Sequence, residues 1–366
     1  MIPVVRPYAA DRHLIYRYLD GALDRNYLTN NGPLVQQLTH RLSEHFDAPH
    51  LLLVANGTLA MQVAYRVVSG GSGAGQKAAT TPFTFVATAS SLLWEGYQPG
   101  FVDIDRHTWC LSSAELASRG ADGLSLVVPV HVFGNACDVD GISECADRHG
   151  LKVVYDAAHA FDARLNGHSL MTYGDASVIS FHATKLFHTL EGGAIAFRHQ
   201  DHLEEAREMI NFGVCANGSI SSLGINAKMS EFHAAVGLAN LDEMSINLEK
   251  RRAVSELYNR FLDGLDVEFQ SITSDDKSLS YYPILLPTEK QREEVVSRLL
   301  DKGIQARRYF FPSLNRAPVF GVHPSCSVGE EVASRIVCLP FYSALLYKDI
   351  RVICDVVRYV LEGARE

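Results

Sequence analysis

The chain has 366 residues, 47% of them hydrophobic and 20% charged, with a formal net charge of −9 and a pI near 5.9. At about 150 residues per domain there is room for two or three domains. The apolar share excludes a disordered or collagen-like chain, and the acidic balance excludes a general nucleic-acid binder, which needs a basic footprint.

Taken in order, Met1–Pro7 carries no charged-then-apolar leader, and no uncharged apolar run reaches the about 18 residues of a membrane span. A cytoplasmic protein with no membrane contact is expected. Over the first two-thirds, short apolar runs alternate with helical patterns. The expected strands are Leu51–Ala55, Ala78–Thr81, Gly100–Asp103, Ser125–Val130, Lys152–Tyr155, Ser177–Phe181 and Ala194–Phe197. Continuously apolar runs of this kind suit the buried strands of a mostly parallel sheet. Helical segments such as Leu59–Val68 and Gly141–His149 lie between them, which predicts an α/β domain with helices on both faces. One long helix is expected from Ser230 to Leu265, with Phe232, Val236, Leu241, Leu248, Val254, Leu257 and Phe261 inward. Beyond it, a strand (Tyr281–Leu286), a helix (Lys290–Asp301), a strand (Ile304–Arg308) and a last helix (Asp349–Glu362) suggest an α+β unit. The division falls at 240, with a large domain over 1–240 and a smaller one over 241–366. Seven scattered cysteines without a CxxC pair, and no HExxH, point to reduced thiols and to no metal site.

Three segments carry chemistry. In Ser180-Phe-His-Ala-Thr-Lys185, a lysine follows a strand, and Gly192-Gly193 opens the next one. A lysine in such a turn can serve as an amine nucleophile if partners surround it. Asp156 ends the apolar Lys152–Tyr155 run, at the sheet edge where open α/β sheets bind ligands. There it can pair with a protonated ring nitrogen, or merely cap the next helix. Asn56-Gly57-Thr58 opens a helix with free N–H groups, which fits a phosphate site and equally an ordinary helix start.

Together these segments resemble the DegT/DnrJ sugar-nucleotide aminotransferases, a branch of the fold-type I pyridoxal-phosphate enzymes. The resemblance runs through Thr29-Asn-Asn31-Gly-Pro33, Asn56-Gly-Thr58, Pro82-Phe-Thr-Phe85-Val-Ala-Thr88, Phe101-Val-Asp-Ile-Asp105, Pro129-Val-His131-Val-Phe-Gly134 and Gly224-Ile-Asn226-Ala-Lys228-Met229. Within the family the chain is similar to transaminases that make dTDP-4-amino-4,6-dideoxyglucose. The family pattern often has Gln at His159 and Arg at Lys228.

The resemblance implies a large α/β domain with a seven-stranded, mostly parallel sheet, and pyridoxal 5'-phosphate as cofactor, with pyridoxamine phosphate as its intermediate form. Lys185 would be the catalytic lysine and Asp156 the partner of the ring nitrogen. His159 would stand by the ring hydroxyl or face, and Phe85 on the ring. Gly57, Thr58 and Ser180 would hold the phosphate, and Asn226 would reach the phosphate of a partner subunit in a homodimer. Asn31, His188, Arg307, Arg308 and Tyr309 would meet the substrate, the arginines suiting diphosphate oxygens. The implied reaction moves the amino group of L-glutamate to a nucleotide-linked 4-keto-6-deoxy sugar, for surface-glycan or antibiotic sugar synthesis. Amination at C3 or of a GDP-linked sugar, and sugar dehydration on the same scaffold, are alternatives. Relatives that dehydrate carry histidine in place of the lysine, so Lys185 favours transamination.

Overall fold

The computed structural model describes residues 1–118 and 123–363. Its centre is a seven-stranded sheet of β1 (Leu51–Val54), β2 (Lys77–Thr80), β3 (Gln98–Phe101), β4 (Leu124–Val128), β5 (Lys152–Asp156), β6 (Ala176–Ser180) and β7 (Gly193–Phe197). The spatial order is β1-β7-β6-β5-β4-β2-β3. Neighbours from β6 through β3 pair in parallel, whereas β7 lies antiparallel to both β1 and β6. The reason is the connection. The residues between β6 and β7, 181–192, form no crossover helix and fold back as a loop, so the chain re-enters the sheet beside β6 in the opposite sense.

Successive side chains of a strand face opposite ways, so a continuously apolar strand needs cover on both faces. Leu51 and Leu53 pack with Leu38, Leu42 and Phe46 of helix Pro33–Phe46 and with Leu238. Leu52 and Val54 face the other way, toward Ala60, Met61 and Ala64 of helix Gly57–Val68. The expected strands and intervening helices are thus present, with ends displaced by one or two residues.

Three expectations are corrected in the C-terminal third. The long helix divides into Glu231–Asp242 and Met244–Leu262 at Glu243, whose carboxylate accepts from the Tyr8 hydroxyl at 2.7 Å. Phe232 is 42% exposed, because Ala234, Ala235 and Leu238 supply the inward face of the first of these helices. Ile304–Arg308 is no strand: Ile304 makes one bridge to Ile2, and Arg307 another to Cys338. The partner of β8 (Tyr282–Leu285) is instead β9 (Ile336–Leu339), antiparallel and directly following helix Ser327–Arg335. Behind this pair, Val254, Tyr258, Leu299, Ile353 and Val357 form a cluster of their own. Tyr281 and Phe310 pack instead with Phe83 and Phe133 at the carboxyl edge of the large sheet. No described helix is long and apolar enough to cross a membrane.

Candidate active site

The carboxyl ends of β1, β5 and β6 open onto a cleft of 720 Å³. Nine of the residues singled out in the sequence line it: Gly57, Thr58, Phe85, Asp156, His159, Ser180, Lys185, Arg307 and Tyr309.

One end of the cleft is a helix start. Asn56 caps helix Gly57–Val68 by accepting the Leu59 N–H at 2.9 Å, and the Gly57 and Thr58 amides open the first turn. A Cβ on Gly57 would stand 2.9 Å from the Ser180 Cβ, so only glycine lets the two segments close up. Gly193 is equally constrained, since its Cβ would lie 2.8 Å from the Asn56 carbonyl carbon and 2.9 Å from the Gly57 nitrogen. Small residues therefore form a cradle of N–H and hydroxyl donors, suited to a phosphate.

Asp156, 5% exposed, ends β5. Its carboxylate accepts from the Thr88 hydroxyl (2.7 Å) and the Ala158 N–H (3.0 Å). Burial raises its pKa despite these bonds and the charge of Lys185, so a further cation would relieve it. Lys185 sits half-buried in the turn between β6 and β7, its amine 6.0 Å from the Tyr281 ring centre. Burial brings its pKa down to about 8; Asp156 opposes the shift and Arg307 adds to it. That is an amine with a large neutral fraction near physiological pH.

His159 is buried among Phe133, Tyr281 and Phe310, and burial holds it well below the usual imidazole range. Its Nδ1 accepts the Phe133 N–H at 3.2 Å, so the neutral ring carries its proton on Nε2. A carboxylate acceptor and an imidazole donor thus share the cleft with the lysine. Phe85, 50% exposed, stands just before helix Val86–Trp94 with its ring available to a flat ligand.

Four predicted residues lie elsewhere. His188 is 3% exposed; its Nε2 bonds the Tyr8 carbonyl, Nδ1 accepts from Leu190 N–H, and Asn240 holds its carbonyl. It pins the N-terminal segment to the Lys185 turn and does not reach the cleft. Arg308 pairs with Glu289 at 3.1 Å and covers the Phe311 ring at 3.2 Å. Side chains alternate around the Arg307–Cys338 bridge, sending Arg307 and Tyr309 inward and Arg308 away. Asn31 lines a second hollow of 370 Å³ with Lys228 and Asn211, and Asn226 is exposed beside it, bridged to Asn211.

Sequence reasoning passed over Tyr281, Thr88, His182, Thr184 and Glu191. Tyr281, His182, Thr184 and Glu191 line the cleft, and Thr88 is the hydroxyl donor to Asp156. Thr88 stood inside a motif already singled out. Tyr281 immediately precedes β8, 96 residues after Lys185 (281 − 185), with no local signal for its place in the cleft.

The chain matches the DegT/DnrJ/EryC1/StrS aminotransferase family over residues 10–358. It belongs to that family. It is 35% identical to the dTDP-4-amino-4,6-dideoxy-D-glucose transaminase of Shigella dysenteriae over 356 residues, covering 95% of this chain and 94% of that one. To the GDP-perosamine synthase of Escherichia coli O157:H7 it is 26% identical, covering 97% of each. Among solved structures it superposes on DesI, crystallised in the presence of its TDP-sugar product, with a TM-score of 0.90 at 32% identity, covering 98% of this chain and 92% of that one. As a DegT-family member it is a pyridoxal-phosphate-dependent aminotransferase of the α/β fold expected from its sequence.

The cleft fits that cofactor. The cradle emptied of side chains at Gly57 and Gly193 suits its phosphate. The underpaired Asp156 carboxylate suits a protonated ring nitrogen, and the Lys185 amine suits its aldehyde.

Proposed function

We propose that this aminotransferase takes the amino group of L-glutamate and delivers it to the C4 keto carbon of dTDP-4-keto-6-deoxyglucose, giving 2-oxoglutarate and dTDP-4-amino-4,6-dideoxyglucose. The observation that carries the chemistry is the Lys185 amine, brought to a pKa of about 8 in a cleft it shares with buried Asp156. The 35% identity to the Shigella transaminase over nearly the whole chain supports the choice of sugar.

In this reading, Asp156 keeps the ring nitrogen protonated and His159 donates its Nε2–H to the ring hydroxyl. Ser180 and the Gly57 and Thr58 amides hold the phosphate, and Phe85 covers the ring. Bound pyridoxal phosphate supplies an electron sink for the C–H bond that breaks beside the amino group. Lys185 does the proton work. Its neutral Nζ takes the proton from the α-carbon of glutamate, and in the second half-reaction returns one to C4 of the sugar. Near pH 8 the amine is divided between acceptor and donor forms, which suits a group used in both directions. Arg307 and Tyr309 meet the anionic and ring portions of the substrate. The chain acts as a homodimer in which Asn226, beside the hollow of Asn31 and Lys228, reaches the partner's phosphate. Residues 1–240 form its cofactor-bearing domain, and 241–366 the smaller one.

The test is to incubate the holoenzyme with L-glutamate and dTDP-, UDP- and GDP-linked 4-keto-6-deoxy sugars, and to locate the new C–N bond by NMR. An amine at C4 of the dTDP sugar is expected. A GDP-linked product would favour a second reading, to which the 26% identity to GDP-perosamine synthase lends support. Nitrogen in no product, or a deoxygenated sugar without nitrogen, would overturn transamination of sugars.

A further inference from the structure

The turn that carries Lys185 folds back on itself. The Lys185 N–H donates to the His182 carbonyl at 2.9 Å, and the Phe181 N–H donates to the Gly192 carbonyl at 2.8 Å. His182 and Glu191 are thereby brought together across the base of the turn, with Nε2 and Oε1 3.6 Å apart. The other ring nitrogen, Nδ1, accepts the Thr184 amide at 3.3 Å and meets the Thr184 hydroxyl at 2.8 Å. An amide can only donate, so Nδ1 carries no proton; the ring proton sits on Nε2 and faces the Glu191 carboxylate. Both side chains line the Lys185 cleft, and the Glu191 side chain is 57% exposed. At 3.6 Å the Nε2–H stands beside one carboxylate oxygen without a hydrogen bond to it. The group keeps acceptor capacity for whatever enters the cleft.

The two substrates of the proposed reaction differ in what such a carboxylate does to them. L-glutamate brings two carboxylates, which Glu191 repels. The keto sugar brings a neutral hydroxyl on the carbon next to the reacting one, and its negative charge stays on the diphosphate. We propose that Glu191, which lines the cleft beside His182, accepts a hydrogen bond from the sugar hydroxyl adjacent to the keto carbon, and so sets acceptor specificity at the Lys185 cleft. This inference rests on the sugar-transaminase reading above. A hydrogen bond from a hydroxyl to a carboxylate is worth roughly 10- to 100-fold in kcat/KM.

The experiment follows the two half-reactions of the holoenzyme separately by cofactor absorbance. The donor is L-glutamate; the acceptors are the 4-keto-6-deoxy sugar nucleotide and its 3-deoxy counterpart. The wild type is expected to lose about 10-fold or more in kcat/KM when the hydroxyl is removed from the acceptor. In Glu191→Ala, kcat/KM for the hydroxylated acceptor falls to the level of the deoxy one, and the sugar half-reaction slows far more than the glutamate half-reaction. Glu191→Asp keeps the charge with a shorter reach, and serves if the alanine variant fails to retain cofactor; it too should shrink the penalty for the missing hydroxyl. Equal slowing of both half-reactions, or a hydroxyl penalty unchanged in either variant, overturns the assignment. A wild type that aminates no keto sugar would instead overturn the proposed function, so the two failures are distinguishable.

Discussion

Lys185 shows how position changes the chemistry of a residue. An ordinary lysine is almost fully charged at neutral pH, whereas burial sets this one at about 8. Only the neutral amine attacks an aldehyde. Adding pyridoxal phosphate back to cofactor-free protein should therefore go faster as pH rises, with the gain ending by about pH 9. A lysine at its usual pKa would keep gaining about tenfold per pH unit beyond that. Growth of the cofactor's visible band, timed from pH 6.5 to 10, checks this, and a rate still climbing steeply above pH 9 would contradict it. Its place after an apolar strand and before Gly192-Gly193 made the lysine a candidate, and the family resemblance of the surrounding motifs gave it a role. The lowered pKa was not legible, because it comes from burial beneath residues such as Tyr281 that are remote in sequence. His188 failed as a substrate contact for the same reason: three residues from Lys185, it is claimed by Tyr8 and Asn240.

At the scale of elements, helix Pro33–Phe46 has a glycine, Gly32, at its N-cap and so no side-chain cap of its own. The missing acceptor arrives from far away. Glu231, fully buried, accepts the Leu34 N–H (2.9 Å) and the Val35 N–H (2.8 Å). A Cβ at residue 32 would lie 2.6 Å from the Glu231 Cδ, so Gly32 in the Thr29–Pro33 motif makes room for this carboxylate. Asn30 and Asn31, at φ of 60° and 57°, bring the chain to that point in a left-handed conformation that asparagine tolerates. Glu231→Ala leaves two buried N–H groups unpaired and should cost about 2 kcal/mol, read as a shift in denaturation midpoint; Glu231→Gln, which keeps an acceptor, should cost less. Equal losses in the two variants would show that the carboxylate is not the cap. Most of the sheet was legible because strands such as β1 and β7 are buried apolar runs bounded by turn residues, whereas β3, Gln98-Pro-Gly-Phe101, is a poor apolar run and its expected bounds lie two residues late. The strand Ile336–Leu339 was not legible, since it follows helix Ser327–Arg335 with no turn between them.

At the scale of the molecule, Phe212, Ile220, Leu223 and Phe232 are each more than 40% exposed, and Asn226 is exposed within the same stretch of chain. Large apolar side chains left open to water on one region suit a surface that another subunit covers. If Asn226 completes the partner's phosphate site, each site takes Lys185 from one subunit and Asn226 from the other. Two inactive variants then complement one another. Lys185→Ala supplies a good Asn226, and Asn226→Asp, whose charge repels phosphate, supplies a good Lys185. In a mixed dimer one site receives both intact residues and the other receives neither. Equal mixing with free exchange makes roughly half the dimers mixed, so about a quarter of all sites are intact and activity should return to about a quarter of wild type. Unmixed samples give the baseline, and subunit exchange is followed by native mass spectrometry. If mixed dimers form and activity stays at the baseline, Lys185 and Asn226 serve the same subunit's site and the crossing is wrong.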